Sequence, residues 1–161
     1  MLKEYSLDIP EMLRYAERWA YSRNPDYYDF DALGGDCTNF ISQCIYAGGA
    51  VMNNTRDVGW YYISPADRAA AWTGVEYFAR FMLTNKGAGP FGSIVPVRYA
   101  MPGDVIQLGG RTRFYHSLLV TDVINGIPYV AAHSRDTFYT PLTAYSPYRV
   151  RCLRIRSARR E

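Results

Sequence analysis

The apolar residues of this chain change their spacing near residue 94, and that change limits the architectures open to it. Before it, Ile9, Met12, Leu13, Ala16, Trp19 and Ala20 recur at helical spacing. They follow Asp8, Pro10 and Glu11, a capping box with proline in the first turn, which predicts a helix over about 9–22. Cys37, Ile41, Cys44 and Ile45 share one helical face, Asp36 can cap its start, and Gly48-Gly49 can end it. A third helix is predicted over about 66–84, opened by Ser64-Pro65 and lined by Trp72, Val75, Ala79 and Met82. Residues 22–35 read as a loop rich in turn formers, and the Gly-rich 86–93 as a connector. After residue 94 the pattern predicts strands over 104–108, 113–124, 127–133 and 149–156, with Gly109-Gly110 and Asn125-Gly126 as turns. Helices first and antiparallel strands second predict an α+β domain, its N-terminal helices packed on one side of a curved antiparallel sheet.

A chain of 161 residues with 48% hydrophobic content can fill one core, so residues 1–161 are read as a single domain. Its 20% charged and 16% aromatic residues exclude a disordered chain. The formal charge is +3, but Arg149, Arg151, Arg154, Arg156, Arg159 and Arg160 lie at the end. Residues 1–148 carry 12 basic against 14 acidic groups, a net of −2, which leaves no broad basic face for nucleic acid. The arginine-rich end is read as a final strand with solvated side chains. The N-terminus lacks a signal peptide, and no segment is long and apolar enough for a membrane span. A soluble cytoplasmic monomer is therefore expected, with action at a cell wall requiring non-classical or lysin-type release.

The three cysteines, Cys37, Cys44 and Cys152, form no C-x-x-C pair, so neither a disulfide framework nor a zinc site is expected, and no metal or organic cofactor is implied. If Cys37 and Cys44 share a helix, roughly 10 Å separates their Cα atoms, beyond disulfide reach. Cys44 and Cys152 read as core thiols. Cys37 falls in a first helical turn, where unpaired N–H groups and the helix dipole favour thiolate. A cysteine nucleophile needs a base, and His116 and His133 are the two histidines of the chain. If Asn125-Gly126 closes a two-residue hairpin, Ile124 faces Ile127, His133 falls opposite Leu118 and His116 opposite Arg135. The two imidazoles then become diagonal neighbours on one face, about 7–8 Å apart. This reading makes Cys37 the nucleophile, His116 its base and later acid, and His133 the group that orients His116. A three-residue turn reverses the parity and favours Ser134 or Asp136 as the third member. The Cys37 backbone N–H is one oxyanion donor, and Tyr27, Tyr28 and Asn24 are candidates for the second.

The string from Gly34 through Asp36-Cys37-Thr38-Asn39-Phe40 to Gln43, followed by Tyr46-Ala47-Gly48-Gly49, closely resembles the signature of the bacterial Putative amidase domain family. Asn24-Pro25, Trp60-Tyr61-Tyr62, Ala71-Trp72-Thr73, Gly103-Asp104-Val105-Ile106, His116-Ser117 and His133-Ser134 extend the resemblance over about residues 15–155. The resemblance implies a papain-like fold related to NlpC-type and CHAP cell-wall hydrolases, with a helix-borne cysteine facing a histidine on the sheet. It also implies a second histidine on the next strand as the third member, and a tyrosine before the cysteine at the oxyanion, Tyr27 or Tyr28 here. The glutamine that papain places before its cysteine has no counterpart, since Asp31 and Leu33 occupy that stretch. The activity implied is hydrolysis of amide bonds through a thioester, on a peptide or a peptidoglycan-type fragment. Trp60 and Trp72, with Asn39 and Ser117, are candidates to line the cleft, although the helical spacing after Trp72 favours a core for the two aromatics. The alternatives are a thiol acyltransferase and a catalytically silent wall- or peptide-binding module.

Overall fold

The computed structural model describes residues 1–161. Helix α1 (Ile9–Trp19) begins where Asp8 accepts the Glu11 backbone N–H at 3.1 Å, and Pro10 occupies a first-turn position that needs no N–H partner. Helix α2 (Cys37–Ala47) matches its expected span. It packs on α1 at Gly48, where a Cβ would stand 2.5 Å from Met12 Cγ, so only glycine permits that approach.

The single helix expected over 66–84 is instead a small hairpin, β2 (Tyr62–Ser64) and β3 (Asp67–Arg68), followed by α3 (Ala70–Thr73) and α4 (Val75–Thr84). Ser64-Pro65 therefore begins a turn: Ser64 Oγ accepts the Asp67 N–H at 3.1 Å. Gly74, in extended conformation, separates α3 from α4. No helix is long and apolar enough to cross a membrane.

Beyond α4, the segment expected to be a connector contains strand β4 (Gly89–Val95). Strands β5 (Val105–Gly109), β6 (Phe114–Ile124), β7 (Ile127–Ala132), β8 (Thr137–Pro141) and β9 (Arg149–Arg160) follow, and β1 (Lys3–Ser6) precedes α1. The seven form one sheet in the order β1-β9-β5-β6-β7-β8, with β4 on the other flank of β9, and all of its pairings are antiparallel. The chain is thus α+β, as the change of period predicts. The terminal arginines are less solvated than expected: Arg154 pairs with the buried Asp104 at 3.0 Å, and the guanidinium groups of Arg151 and Arg159 each lie 3.7 Å from an aromatic ring.

Both faces of the sheet carry apolar residues. Val105, Leu119, Ala131, Leu153 and Ile155 join Met12, Phe40, Ile41, Trp60, Trp72 and Phe78 of the helical layer in the main core. Ile106, Leu108, Leu118, Val120, Val130 and Cys152 form a smaller core on the opposite face. Cys44 and Cys152 are both fully buried, as read from the sequence.

The β6–β7 hairpin begins in the expected register, with Ile124 opposite Ile127 and Asp122 opposite Tyr129. The register then shifts, pairing Val120 with Val130 and Leu119 with Ala131. Thr121 is the extra residue of this bulge, and its hydroxyl donates toward the Tyr129 and Phe138 carbonyls at 3.1 and 3.3 Å. Beyond it, the pairing expected for the two histidines is displaced by one position. His133 follows Ala131 on the helix-facing side, whereas His116 precedes Leu118 on the other.

Candidate active site

Cys37 is the first residue of α2 and is half-buried. Its Sγ lies 3.7 Å from Thr38 Oγ1, and the Ser117 and Thr38 backbone N–H groups also favour the thiolate. Burial is the larger influence and pushes the thiol above its ordinary value, with the Asp36 charge adding to it. Desolvation thus opposes the stabilisation of a thiolate expected at a helix start.

The sulfur thus rests against the backbone of Ser117, one residue from His116. The His116 ring enters a cavity of about 520 Å³ that it shares with Leu108, Tyr115, Ser134, Arg135, Tyr145 and Ser146. Burial lowers His116 to about 4, which leaves a neutral imidazole at neutral pH. The Tyr145 ring stands 6.3 Å away, centroid to centroid. Ser134 connects this cavity to the start of α2, since its Oγ lies 3.5 Å from the Asp36 backbone N. No hydrogen bond joins Sγ to either imidazole.

His133 has other partners. It is 1% exposed, stacks on Phe40 with centroids 4.1 Å apart, and donates Nδ1–H to Asp36 at 2.7 Å. Its Nε2 lies 2.8 Å from the Trp19 carbonyl oxygen and 3.1 Å from Arg23 Nη1. The structure therefore joins His133 to Asp36 and not to His116, because the Thr121 bulge puts the two rings on opposite faces.

Asp36 does not cap α2 with its side chain. Its fully buried carboxylate accepts the Phe30 N–H at 2.9 Å, Asn39 Nδ2 at 2.9 Å and His133 Nδ1. Asn39 Oδ1 in turn accepts Trp72 Nε1 at 3.0 Å, and Trp60 Nε1 donates to Ser42 Oγ at 3.0 Å. Both indoles are fully buried because their N–H groups are satisfied inside the protein. Ser117, also buried, bonds Thr38 Oγ1 at 3.0 Å. Asn39, Trp60, Trp72 and Ser117 thus brace α2 from beneath and do not line the His116 cavity.

Of the oxyanion candidates, Tyr27 stacks on Trp72 at 6.1 Å, and burial raises its phenol to about 12. Tyr28 exposes its ring while its backbone N–H donates to the Tyr62 hydroxyl at 2.9 Å. Asn24 donates to the Tyr15 hydroxyl at 3.0 Å. None of the three is hydrogen-bonded to Cys37.

Arg23 was invisible to sequence reasoning. It forms a two-point pair with Asp136 at 2.9 and 3.0 Å, binds Asp31, and approaches Asp29 and Asp36 at 3.4 and 3.6 Å. The pair clamps the loop before Cys37 to the loop after β7, and Ser134 donates to Asp31 across the same junction. The available signal was a lone arginine ahead of a segment containing Asp26, Asp29, Asp31 and Asp36. Asp136 is committed to this clamp. No group of three His, Cys, Asp or Glu side chains is arranged to hold a metal ion.

Comparison with known proteins adds a family. The model of the family described as "Putative amidase domain" matches residues 6–154. The chain is 37% identical to a protein of Bacillus subtilis (strain 168) described as "Uncharacterized protein YhbB", over 90% of this chain and 49% of the relative. The chain thus spans about half the length of that relative. No solved structure matches it.

Proposed function

Since the chain belongs to the Putative amidase domain family, we propose that it hydrolyses amide bonds through a thioester on Cys37, with His116 as base and acid. The observation that supports this most is the seat of the sulfur against the Ser117 backbone, one residue along β6 from His116, whose ring lines a cavity of about 520 Å³. Both groups are neutral at rest, so the proton moves from thiol to imidazole as sulfur attacks the carbonyl carbon. The Cys37 backbone N–H, unpaired at a helix start, faces the developing oxyanion. His116 then gives the proton to the leaving nitrogen as the C–N bond breaks. Water, deprotonated by His116, attacks the thioester and releases the acid and the thiol. His133, Asp36 and Arg23 act as positioning residues that fix the start of α2.

The substrate in this reading is a peptide of peptidoglycan type. The test is digestion of purified peptidoglycan and synthetic stem peptides by wild type and by Cys37→Ala, with products read by mass. Wild type releases fragments and the variant releases none; undiminished turnover by the variant refutes the reading. A thiol and an imidazole that are both neutral and not hydrogen-bonded favour one alternative, a binding module that keeps the fold. That alternative predicts stable peptide binding without products from the wild type.

A further inference from the structure

The His116 cavity holds one cationic side chain that the proposed chemistry does not use. Arg135 lines it, and no carboxylate does. None of the protein's ion pairs includes Arg135, which is left without an acidic partner. Its neighbour Asp136, the nearest acid in sequence, is already held by Arg23. Arg135 also has a backbone φ of 55°, a conformation that residues with a Cβ seldom adopt. Its charge is felt inside the cavity, where it favours the phenolate of Tyr145 against the effect of burial.

The side of the scissile bond that meets this charge follows from the reaction. His116 must hand its proton to the departing nitrogen, so the groove around the imidazole receives the amine half of the substrate. We infer that this amine half carries a carboxylate bound by Arg135, and that the protein releases a free amino acid from an N-acyl amino acid or from the C-terminus of a peptide. The inference rests on the proposed role of Cys37 and His116 and deepens it. The C–N bond breaks, the acyl group stays on sulfur, the proton from His116 goes to the amino acid nitrogen, and water later removes the acyl group. A guanidinium recognises a carboxylate through two parallel hydrogen bonds, so a carboxamide in its place forfeits both the charge and one acceptor.

The test uses N-acetylated tripeptides with either a free C-terminal carboxylate or a carboxamide. They span the common residues and D-alanine at the last position. Hydrolysis by wild type, Arg135→Lys and Arg135→Gln is read by mass, with circular dichroism checking the fold of each. Wild type should prefer the carboxylates by about 10- to 100-fold in kcat/KM. The preference should appear mainly in KM, persist in part in Arg135→Lys, and vanish in Arg135→Gln. Equal hydrolysis of both series by wild type, or an unaltered preference in Arg135→Gln, overturns the inference and leaves the amidase reading standing. Failure of wild type to cleave either series, when it digests peptidoglycan, overturns the inference alone. Failure on every amide overturns both.

Discussion

Replacing Asp36 by alanine tests the idea that the start of α2 is held by one buried carboxylate. The change strips the acceptor from three donors, the Phe30 N–H, Asn39 Nδ2 and His133 Nδ1. The residues carrying them are 2%, 1% and 1% exposed, so water reaches them poorly. An unsatisfied buried donor costs about 1–3 kcal/mol, but the three share one acceptor and relax together, so their costs do not add fully. With three buried donors stripped of one charged acceptor, a loss of about 3–5 kcal/mol is expected here. Against a total of about 5–15 kcal/mol it is a large fraction. With about 2–4 °C per kcal/mol for a domain of this size, Tm should fall by roughly 6–20 °C. Equilibrium urea unfolding supplies the free energy and calorimetry the Tm. Asp36→Asn, which keeps an acceptor for Phe30 and Asn39, should lose less. A double-mutant cycle with His133→Ala should show a coupling of about 1–3 kcal/mol. A loss below about 1 kcal/mol for Asp36→Ala, or no coupling to His133, refutes the reasoning, because the donors would then have found other partners.

Two further outcomes follow from the titration behaviour. Alkylation of Cys37 by iodoacetamide should be slower at neutral pH than that of free cysteine and should rise only at alkaline pH, since burial raises the thiol; a midpoint below neutrality would show a resting thiolate–imidazolium pair instead. The unfolded chain protonates His116 near its ordinary value of about 6.5, whereas the folded protein resists until about 4. Stability should therefore fall as pH drops through that window, and His116→Gln should remove that part of the fall in urea titrations.

Much of the architecture was legible along the chain. The helix beginning at Cys37 was legible because its apolar face and its terminal glycines agree with one another, although Asp36 before it spends its carboxylate on Phe30, Asn39 and His133 and not on a cap. Strands β1, β4 and β8 were not, since each is short or rich in glycine, proline and threonine, and owes its conformation to the neighbour it pairs with. The Arg23 clamp was likewise hidden, because it joins residues 113 apart in sequence.

What the sequence by itself determined is that the main helices precede most of the sheet, the division of three cysteines into two core thiols and one at a helix start, and the scarcity of histidine that singles out two rings. Tertiary structure alone decided which ring stands near which partner. Side chains alternate across a strand, so one extra residue, Thr121, inverts every assignment beyond it. That inversion sends His133 to Asp36 beneath the helix and leaves His116 at the mouth of the cavity with Arg135. A bulge depends on hydrogen bonds to two neighbouring strands, here the Tyr129 and Phe138 carbonyls, and no local pattern around Thr121 specifies them.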